Sequence, residues 1–297
     1  MQPLFTIIIP TYNRPKPLHI LLQALTELIP PKGGFEVIVV DDGSSETMES
    51  VVDPFRDKLN IRLLRQSNSG PAEARNHGAR VATTRYLAFT DDDCIPDPQW
   101  LVAAAAHLES HPDVMVGGKI INHLIDNPFS ETSQLIVDMV YEHYNAQPHN
   151  ARFFCSDNMI VPREHFEVLA GFDAEHFGYV SEDRDLCDRW LQAGFELHYV
   201  PEAVIFHAHD LTLKKFLRQH FHYGQGAYLF YQVRERVAAR ANLSMHTSAG
   251  PWHLVSQKAE NRRQLLQLSA LLGLWQIANL AGYVHARFFR GDGRQTG

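Results

Sequence analysis

Cysteine is scarce in this chain of 297 residues, and the scarcity excludes two kinds of small domain. The three cysteines are odd in number, lie far apart and form no C-x-x-C pair: Cys94, Cys155 and Cys187. A disulfide framework or a zinc knuckle needs closely spaced or paired cysteines. We therefore expect a hydrophobic core to hold the fold, in a reducing, cytosolic compartment.

Two phosphate-binding signatures and a secretion signal are missing as well. No G-x-G-x-x-G follows the first apolar run and no G-x-x-x-x-G-K-[ST] occurs in the chain, so the dinucleotide and P-loop interpretations lose their main support. The N-terminal stretch MQPLFTIIIP has no basic segment, and its apolar run ends at Pro10 after about six residues. We expect the chain to begin inside a folded domain.

Acidic and basic residues are present in unequal proportions along the chain. The formal net charge is −7, but residues 211–297 contain twelve Lys and Arg against three acids. That segment therefore carries about +9 and the preceding 210 residues about −16. A basic tail on an acidic body needs an explanation in terms of a partner or a surface.

Continuous apolar runs alternate with helical segments over residues 1–120. LFTIIIP, FEVIVV, IRLLRQ and YLAF are unalternated, as in parallel strands covered on both faces, and the helical segments between them give a doubly wound α/β unit. Residues 121–210 predict a mixed second half, with a capped helix ended by Gly194 and two short strands around Pro201. Residues 211–297 predict a largely helical extension.

Three polar clusters, PTYNRP, DDGSS and TDDDC, follow predicted strands directly. The carboxyl ends of parallel strands meet at one edge of an open sheet, which is where ligands bind. Adjacent carboxylates are tolerable there when a divalent cation neutralises them, and such a cation completes its shell with substrate phosphates. Either acidic cluster alone reads equally well as a solvated turn. Together they predict a site for a nucleotide sugar.

Five blocks resemble, in order and spacing, the family 2 glycosyltransferases with the GT-A fold: TIIIPTYNRP, VIVVDDGSS, GPAEARNHG, YLAFTDDDCIPDP and GFDAEHFGYVSEDRDLCDRWLQAGFELHYVPEAVIFHAH. The resemblance extends from residue 4 to about residue 232. It implies a Rossmann-like mixed sheet with flanking helices. It also implies inverting transfer from a nucleoside diphosphate sugar, with UDP or dTDP expected, and Mn²⁺ or Mg²⁺ as the cofactor.

The resemblance also assigns roles to residues on the donor side. Donor-binding residues are expected to be Pro10, Thr11, Tyr12, Asp42, Arg75, Asp91 and Asp92. Among them, Asp42 would bond the base and Asp91 the ribose. Metal ligands are expected among Asp92, Asp93 and His207, with His209 as the second choice for the histidine. The sequence leaves open which carboxylate of the triplet touches the ion.

On the acceptor side, the resemblance assigns the general base to Asp183 in SEDRD. In a single displacement, a carboxylate takes the proton of the attacking hydroxyl. Glu182 and Asn158 are expected to bind or orient the acceptor, and loops within residues 122–156 to shape its pocket. An Asp-x-Asp phosphatase and a non-catalytic nucleotide-binding or scaffold protein of the same fold are the alternatives.

The basic tail contains a stretch of 22 residues, 265–286, without Lys, Arg, Asp or Glu. Its length reaches that of a membrane span, but a stripe of polar and small residues recurs at steps of three or four: Ser269, Gly273, Gln276, Asn279 and Tyr283. We expect this helix to lie on an anionic membrane at the inner face of the cytoplasmic membrane, near a lipid-linked saccharide acceptor. A core or subunit contact is the alternative. We expect no nucleic-acid partner, because no recognised binding module accompanies the basic residues. The oligomeric state stays open.

Overall fold

The computed structural model describes residues 3–238, 252–259 and 261–289. The chain divides into two compact units. The first comprises Met1–His123 and Tyr144–Ala208, and the second comprises Leu124–His143 and His209–Gly297. The change of unit at residue 208 lies close to the expected domain end at 210, whereas residues 124–143 join the C-terminal segment.

A mixed sheet of eight strands is the framework of the first unit, in the order β3-β2-β1-β4-β7-β6-β8-β5. The predicted parallel strands are present, since β1 pairs in parallel with both β2 and β4, and β2 with β3. Strands β5 and β7 run antiparallel to their neighbours. The strands are β1 Phe5–Thr11, β2 Phe35–Asp41, β3 Ile61–Arg65, β4 Tyr86–Phe89, β5 Cys94–Pro96, β6 Met115–Asn122, β7 Met159–Pro162 and β8 Leu197–His207.

Helices of the first unit pack on this sheet through their buried faces. In α1, the stripe has the spacing of one helical face, and the helix begins at a proline that lacks the N–H group an interior turn would need. The α-helices are α1 Pro15–Leu25, α2 Glu49–Val52, α3 Pro71–Val81, α4 Trp100–Ser110, α5 Pro128–Tyr144, α6 Arg163–Val168, α7 Ala174–Phe177, α8 Glu182–Gln192, α9 Leu213–Ala238, α10 Trp252–Lys258 and α11 Arg262–Phe289.

Two local predictions were wrong, both for reasons of backbone geometry. The segment around Pro201 is one strand, β8, because the register against β6 jumps from Val200 to Val204 and leaves the proline outside the hydrogen-bonded ladder. Helix α8 ends near Gly194 as predicted, with the glycine at φ +84°. However, Ser181 before the helix adopts φ +67°, and its side chain does not cap the helix.

The second unit contains the long helix that the sequence predicted over residues 262–289. Small residues allow α9 and α11 to pack closely. A Cβ atom added to Gly224 would clash with the backbone of Asn279, and one added to Gly282 would clash with Phe221. Close backbone approach at small residues is a common way for helices to pack when both carry many apolar side chains.

Candidate active site

The Asp triplet lies in the turn between β4 and β5, at the carboxyl end of the parallel strands. Two of its side chains are buried, Asp92 at 3% and Asp93 at 7% exposure. Arg14 follows β1 and reaches both, with Nη1 3.0 Å from Asp92 Oδ1 and Nη2 2.7 Å from Asp93 Oδ2. The guanidinium therefore neutralises part of the repulsion between the two carboxylates.

The buried carboxylate of Asp92 is also bonded to the last residue of β1. The Oγ1 hydroxyl of Thr11, the last residue of β1, donates a hydrogen bond to Asp92 Oδ2 at 2.8 Å. Burial raises the pKa of Asp92 to about 7, while Arg14 opposes this shift. A carboxyl group whose pKa lies near 7 is partly protonated at neutral pH. A further positive charge beside it would favour its ionised form.

Arg75 connects the Asp triplet to the beginning of α8. This fully buried side chain of α3 lies 2.5 Å from Asp91 and 3.0 Å from Glu182, the first residue of α8. Its guanidinium also stacks over the ring of Phe172. Burial disfavours the charged form of Arg75, but the two carboxylates outweigh burial and raise its pKa. The link joins residues 107 positions apart in the chain.

Asp183 occupies the first turn of α8, next to Glu182. Its Oδ1 accepts a hydrogen bond from the backbone N–H of Arg184 at 2.7 Å. Burial raises the pKa of Asp183 above the usual range, and the N–H of Arg184 opposes this. A carboxylate with a raised pKa is a stronger base than an exposed aspartate, which suits removal of a proton from a hydroxyl.

His207, at the end of β8, faces two acids of the site. Its Nε2 lies 3.3 Å from Asp93 Oδ1 and its Nδ1 lies 3.8 Å from Asp157 Oδ2. Burial alone would lower the pKa of His207, but Asp93 and Asp157 outweigh burial and raise it to about 9. Burial also raises the pKa of Asp157 to about 6.

The residues near His207 fit a divalent cation. Asp93, Cys94 and His207 offer atoms that all lie within 4.8 Å of one another. Burial keeps Cys94 as the thiol by raising its pKa, so the carboxylates and the imidazole are the donors. Asp157 Oδ1 is buried and has no hydrogen-bond partner in the described part of the chain. Oxygen donors of this kind suit Mn²⁺ or Mg²⁺, and His207 would have to lose its proton to bind one.

Asp42 holds the loop before α3. Its carboxylate accepts hydrogen bonds from Gln66 Nε2 and from the backbone N–H groups of Ser69 and Gly70, at 2.8 to 2.9 Å. Gly43 must be a glycine because it has φ +80° and a Cβ atom there would clash with Asn68 N. The expected contact of Asp42 with a nucleobase would add to these three bonds.

The other predicted residues lie at different depths. Pro10 is buried within β1, and Tyr12 beyond it is 48% exposed. Asn158 is completely buried, and its amide bonds Trp100 Nε1 and the carbonyls of Lys119 and Ala203, which fits a role in holding the sheet. His209 belongs to the second unit, where its carbonyl accepts a hydrogen bond from Ser130.

Two members of the site escaped the sequence analysis. Arg14 lies in the PTYNRP cluster. A basic residue in the turn after a strand was the sequence signal that could have identified it. Asp157 lies two positions before β7, which runs antiparallel to β4, so the beginning of β7 lies at the same end of the sheet as the triplet that follows β4. Both contact groups far away in sequence, 79 positions for Arg14 with Asp93, so their partners could not be predicted.

Known proteins are similar to this chain in sequence. The family model described as Glycosyl transferase family 2 matches residues 6–169, and that of the N-terminal domain of galactosyltransferase matches residues 136–211. A pre-mycofactocin glycosyltransferase of Mycobacterium tuberculosis is 32% identical over 229 residues, 75% of this chain and 46% of that protein. A validoxylamine A glucosyltransferase of Streptomyces hygroscopicus is 30% identical over 224 residues, 66% of this chain and 48% of that protein. The chain thus spans about half the length of these curated relatives.

Solved structures share the fold at lower sequence identity. The mannosyltransferase PcManGT from Pyrobaculum calidifontis, in complex with GDP-Man and Mn²⁺, has a TM-score of 0.67 and 19% identity over 97% of this chain and 88% of its own. S. aureus TarS 1–349 in complex with UDP-GlcNAc has a TM-score of 0.54 and 17% identity over 98% of this chain and 92% of its own. The mixed sheet with its flanking helices is therefore a GT-A fold.

The family can be assigned as well as the fold, because one family model covers more than half of the chain. The chain belongs to glycosyl transferase family 2. The predicted family and fold are confirmed, and the phosphatase interpretation has no support.

Proposed function

We propose that this chain transfers a sugar from a nucleoside diphosphate donor to an acceptor hydroxyl, with inversion at the anomeric carbon and with the help of a divalent cation. The observation that carries the proposal is the joining of two acidic groups across the site. The Asp triplet follows the fourth parallel strand, and Arg75 bridges it to Glu182 at the start of α8. One group can serve the donor and the other the acceptor.

The cation would be held by Asp93 and His207, with Asp92 beside them. When bound, it would neutralise the charge of the donor's diphosphate as that group departs. Arg14 is suited to contact the same phosphates, because its guanidinium lies against Asp92 and Asp93 while its side chain is 43% exposed. These residues support donor binding and departure of the leaving group.

Asp183 is the residue proposed to accept the proton of the attacking hydroxyl. The contacts of Asp183 and Glu182 explain why Asp183 would be the base. Glu182 is tied to Arg75, so it is not available as a base, whereas the carboxylate of Asp183 accepts only the Arg184 N–H among the hydrogen bonds described for it. In this proposal, Glu182 has a positioning role and Asp183 accepts the proton.

The donor nucleotide is proposed to be UDP or dTDP. The solved relatives carry different bases, since PcManGT was solved with GDP-Man and TarS with UDP-GlcNAc. The loop held by Asp42 is where the base would lie, and Asp42 itself would accept a hydrogen bond from an N–H group of the base.

A donor screen tests this proposal directly. Thermal shift of the full chain would be measured with UDP, dTDP and GDP, each with Mn²⁺, with Mg²⁺ and with a chelator. We expect stabilisation by one pyrimidine nucleotide that requires the cation, and loss of that stabilisation in Asp93→Asn. An exposed acid of the same unit provides the matched control, Asp53→Asn, which should behave as wild type. Equal stabilisation with the chelator, or none with any nucleotide, would contradict the proposal.

The acceptor is proposed to be a lipid-linked saccharide at an anionic membrane surface. In the described part of the chain, one helix, α11, is long and apolar enough to cross a membrane, and most of it is not buried. Large apolar side chains on one face of α11 are exposed, namely Leu266, Ile277, Leu280, Val284 and Phe288. The opposite face, with Leu272 and Ala278, packs into the unit. A helix that exposes its apolar face and carries arginines near its ends suits the membrane interface.

Vesicle sedimentation tests this surface. We expect the full chain to bind vesicles with a third of anionic lipid more tightly than neutral vesicles, and Ile277→Glu to reduce binding. Gln276→Glu adds the same charge to the polar stripe next to it and should reduce binding less. Equal sedimentation of both variants and wild type would exclude the exposed face of α11 as the membrane contact.

A further inference from the structure

Four histidines from three separate segments meet at the edge of the sheet opposite the active site. His107 lies in the last turn of α4, and His111 directly follows the helix, with its backbone N–H bonded to the carbonyl of His107. His198 is the second residue of β8, and His149 lies in the short 3₁₀ turn Pro148–Asn150. The turn is held against β8 by a hydrogen bond from Ala151 N to Leu197 O at 3.0 Å.

The four rings are mutually close. Every pair of ring centroids lies between 4.7 and 5.7 Å apart. Nitrogen atoms of His107, His111 and His198 all lie within 4.8 Å of one another. His198 pairs with Val116 of β6 and His207 pairs with Asn122, six positions further along that strand, so the cluster lies roughly 20 Å from the active site at the usual rise of a strand.

We propose that this histidine cluster, defined as His107, His111, His149 and His198, is a binding site for a divalent transition metal, with Zn²⁺ as the expected ion. All-imidazole ligand sets suit Zn²⁺, Ni²⁺ and Cu²⁺, whereas Mn²⁺ and Mg²⁺ prefer oxygen. Three histidines with a fourth one in reach satisfy the tetrahedral preference of Zn²⁺. The site is therefore distinct in chemistry, as well as in place, from the carboxylates of the active site.

The geometry of the cluster favours a ligand role. Nε2 of His107 faces Nδ1 of His198 at 2.9 Å, which brings two ring nitrogens to the same point. His111 Nδ1 is buried and has no hydrogen-bond partner among the described residues.

Glu196 supplies the support that metal-binding histidines usually have. Its carboxylate lies 3.0 Å from Nε2 of His198, which leaves Nδ1 of that ring directed at the cluster. A carboxylate behind a histidine fixes the tautomer and raises the basicity of the ligating nitrogen. A metal at this point would join the end of α4, the start of β8 and the turn at residues 148–150.

Metal titration of the full chain tests the proposal. Calorimetry with Zn²⁺, and visible absorption with Co²⁺ as a reporter of tetrahedral geometry, would be measured in a background of Asp93→Asn and His207→Gln that removes the carboxylate site. We expect one Zn²⁺ per chain and a tetrahedral Co²⁺ spectrum. Zn²⁺ should also raise the melting temperature, because it binds the folded state.

Single substitutions separate this site from adventitious binding. His111→Gln and the exposed His149→Ala should each weaken Zn²⁺ binding at least tenfold, and Glu196→Gln about 10- to 100-fold through His198. His19→Gln, an exposed histidine of α1 outside the cluster, is the matched control and should not change the affinity. Absence of Zn²⁺ binding in the background protein, or binding that survives His111→Gln together with His149→Ala, would overturn the proposal.

Discussion

Replacement of Arg75 by methionine isolates the ion bridge at the centre of the active site. Methionine retains most of the volume of the side chain but removes the charge shared by Asp91 and Glu182. Glu182 is 6% exposed, so the variant leaves a buried carboxylate without its cation. Breaking a buried ion pair in this way costs roughly 3–5 kcal/mol. Asp91 is about one-third exposed and is screened by water, so it adds little to that loss.

The predicted loss translates into a large shift in melting temperature. For a unit of this size, each kcal/mol corresponds to roughly 2–4 °C, so Arg75→Met should melt about 6–20 °C below wild type. The fluorescence of Trp100 and Trp190, which are fully buried in the first unit, reports its unfolding. The matched control is Arg80→Met on the same helix. Arg80 is exposed and pairs with Glu73 at 2.6 Å, so its loss should cost under about 1 kcal/mol.

The pH dependence of the variant provides a second test with a defined sign. Burial already raises the pKa of Glu182, and removal of the Arg75 charge raises it further. The folded state then binds a proton that the unfolded state releases above its ordinary pKa of about 4.3, so stability falls as the pH rises from that value to the raised folded pKa. The deficit of Arg75→Met should therefore be smaller at pH 5 than at pH 8. A deficit below about 1 kcal/mol, or one that is equal at both pH values, would refute the reasoning.

Three further predictions concern the chemistry and the support of the site. Asp183→Asn keeps the bond from Arg184 N but cannot accept a proton, so kcat should fall about 10²- to 10⁴-fold with unchanged donor affinity, while Asp188→Asn on the same helix should stay near wild type; equal kcat values would exclude the base role. In the wild type, kcat should decrease on acidification at a higher pH than an ordinary aspartate would cause, because burial raises the pKa of Asp183; a pH-independent kcat between pH 5 and 8 would argue against it. Asn76→Ala removes two hydrogen bonds to the backbone of Phe172 and should lower the stability of the first unit by roughly 2–4 kcal/mol, measured by the same tryptophan fluorescence.

The parts of the fold that the sequence predicted are those specified by local patterns. Continuous apolar runs identified β1 to β4, and the long charge-free stretch identified α11. Helix α5 was missed within residues 122–156, because it buries polar residues such as Glu131, Thr132 and Gln134 together with its apolar ones. Burial of polar side chains removes the contrast on which helical periodicity depends.

The sequence analysis named Asp92, Asp93, Asp183 and Arg75 as site residues, but it missed Arg14 and Asp157. Asp92, Asp93 and Asp183 each follow a strand or begin a helix, so their neighbours in sequence reveal them. The resemblance identified Arg75 but not its partner, because the ion pairs of Arg14 and Arg75 join residues 79 and 107 positions apart. A single chain without its fold does not specify which cation meets which acid.

The balance of acidic and basic groups in the site also bears on which ligands it can bind. Six carboxyl groups interact electrostatically with one another across it, from Asp91, Asp92, Asp93, Asp157, Glu182 and Asp183. The positive groups that interact with them include the guanidinium groups of Arg14, Arg75 and Arg184 and the imidazole of His207. Arg75 is committed to the bridge, so Arg14 and His207 are the cationic groups beside the triplet. An anionic diphosphate placed there would meet an excess of negative charge. Donor binding to this chain should therefore depend on a divalent cation more strongly than on any single basic side chain.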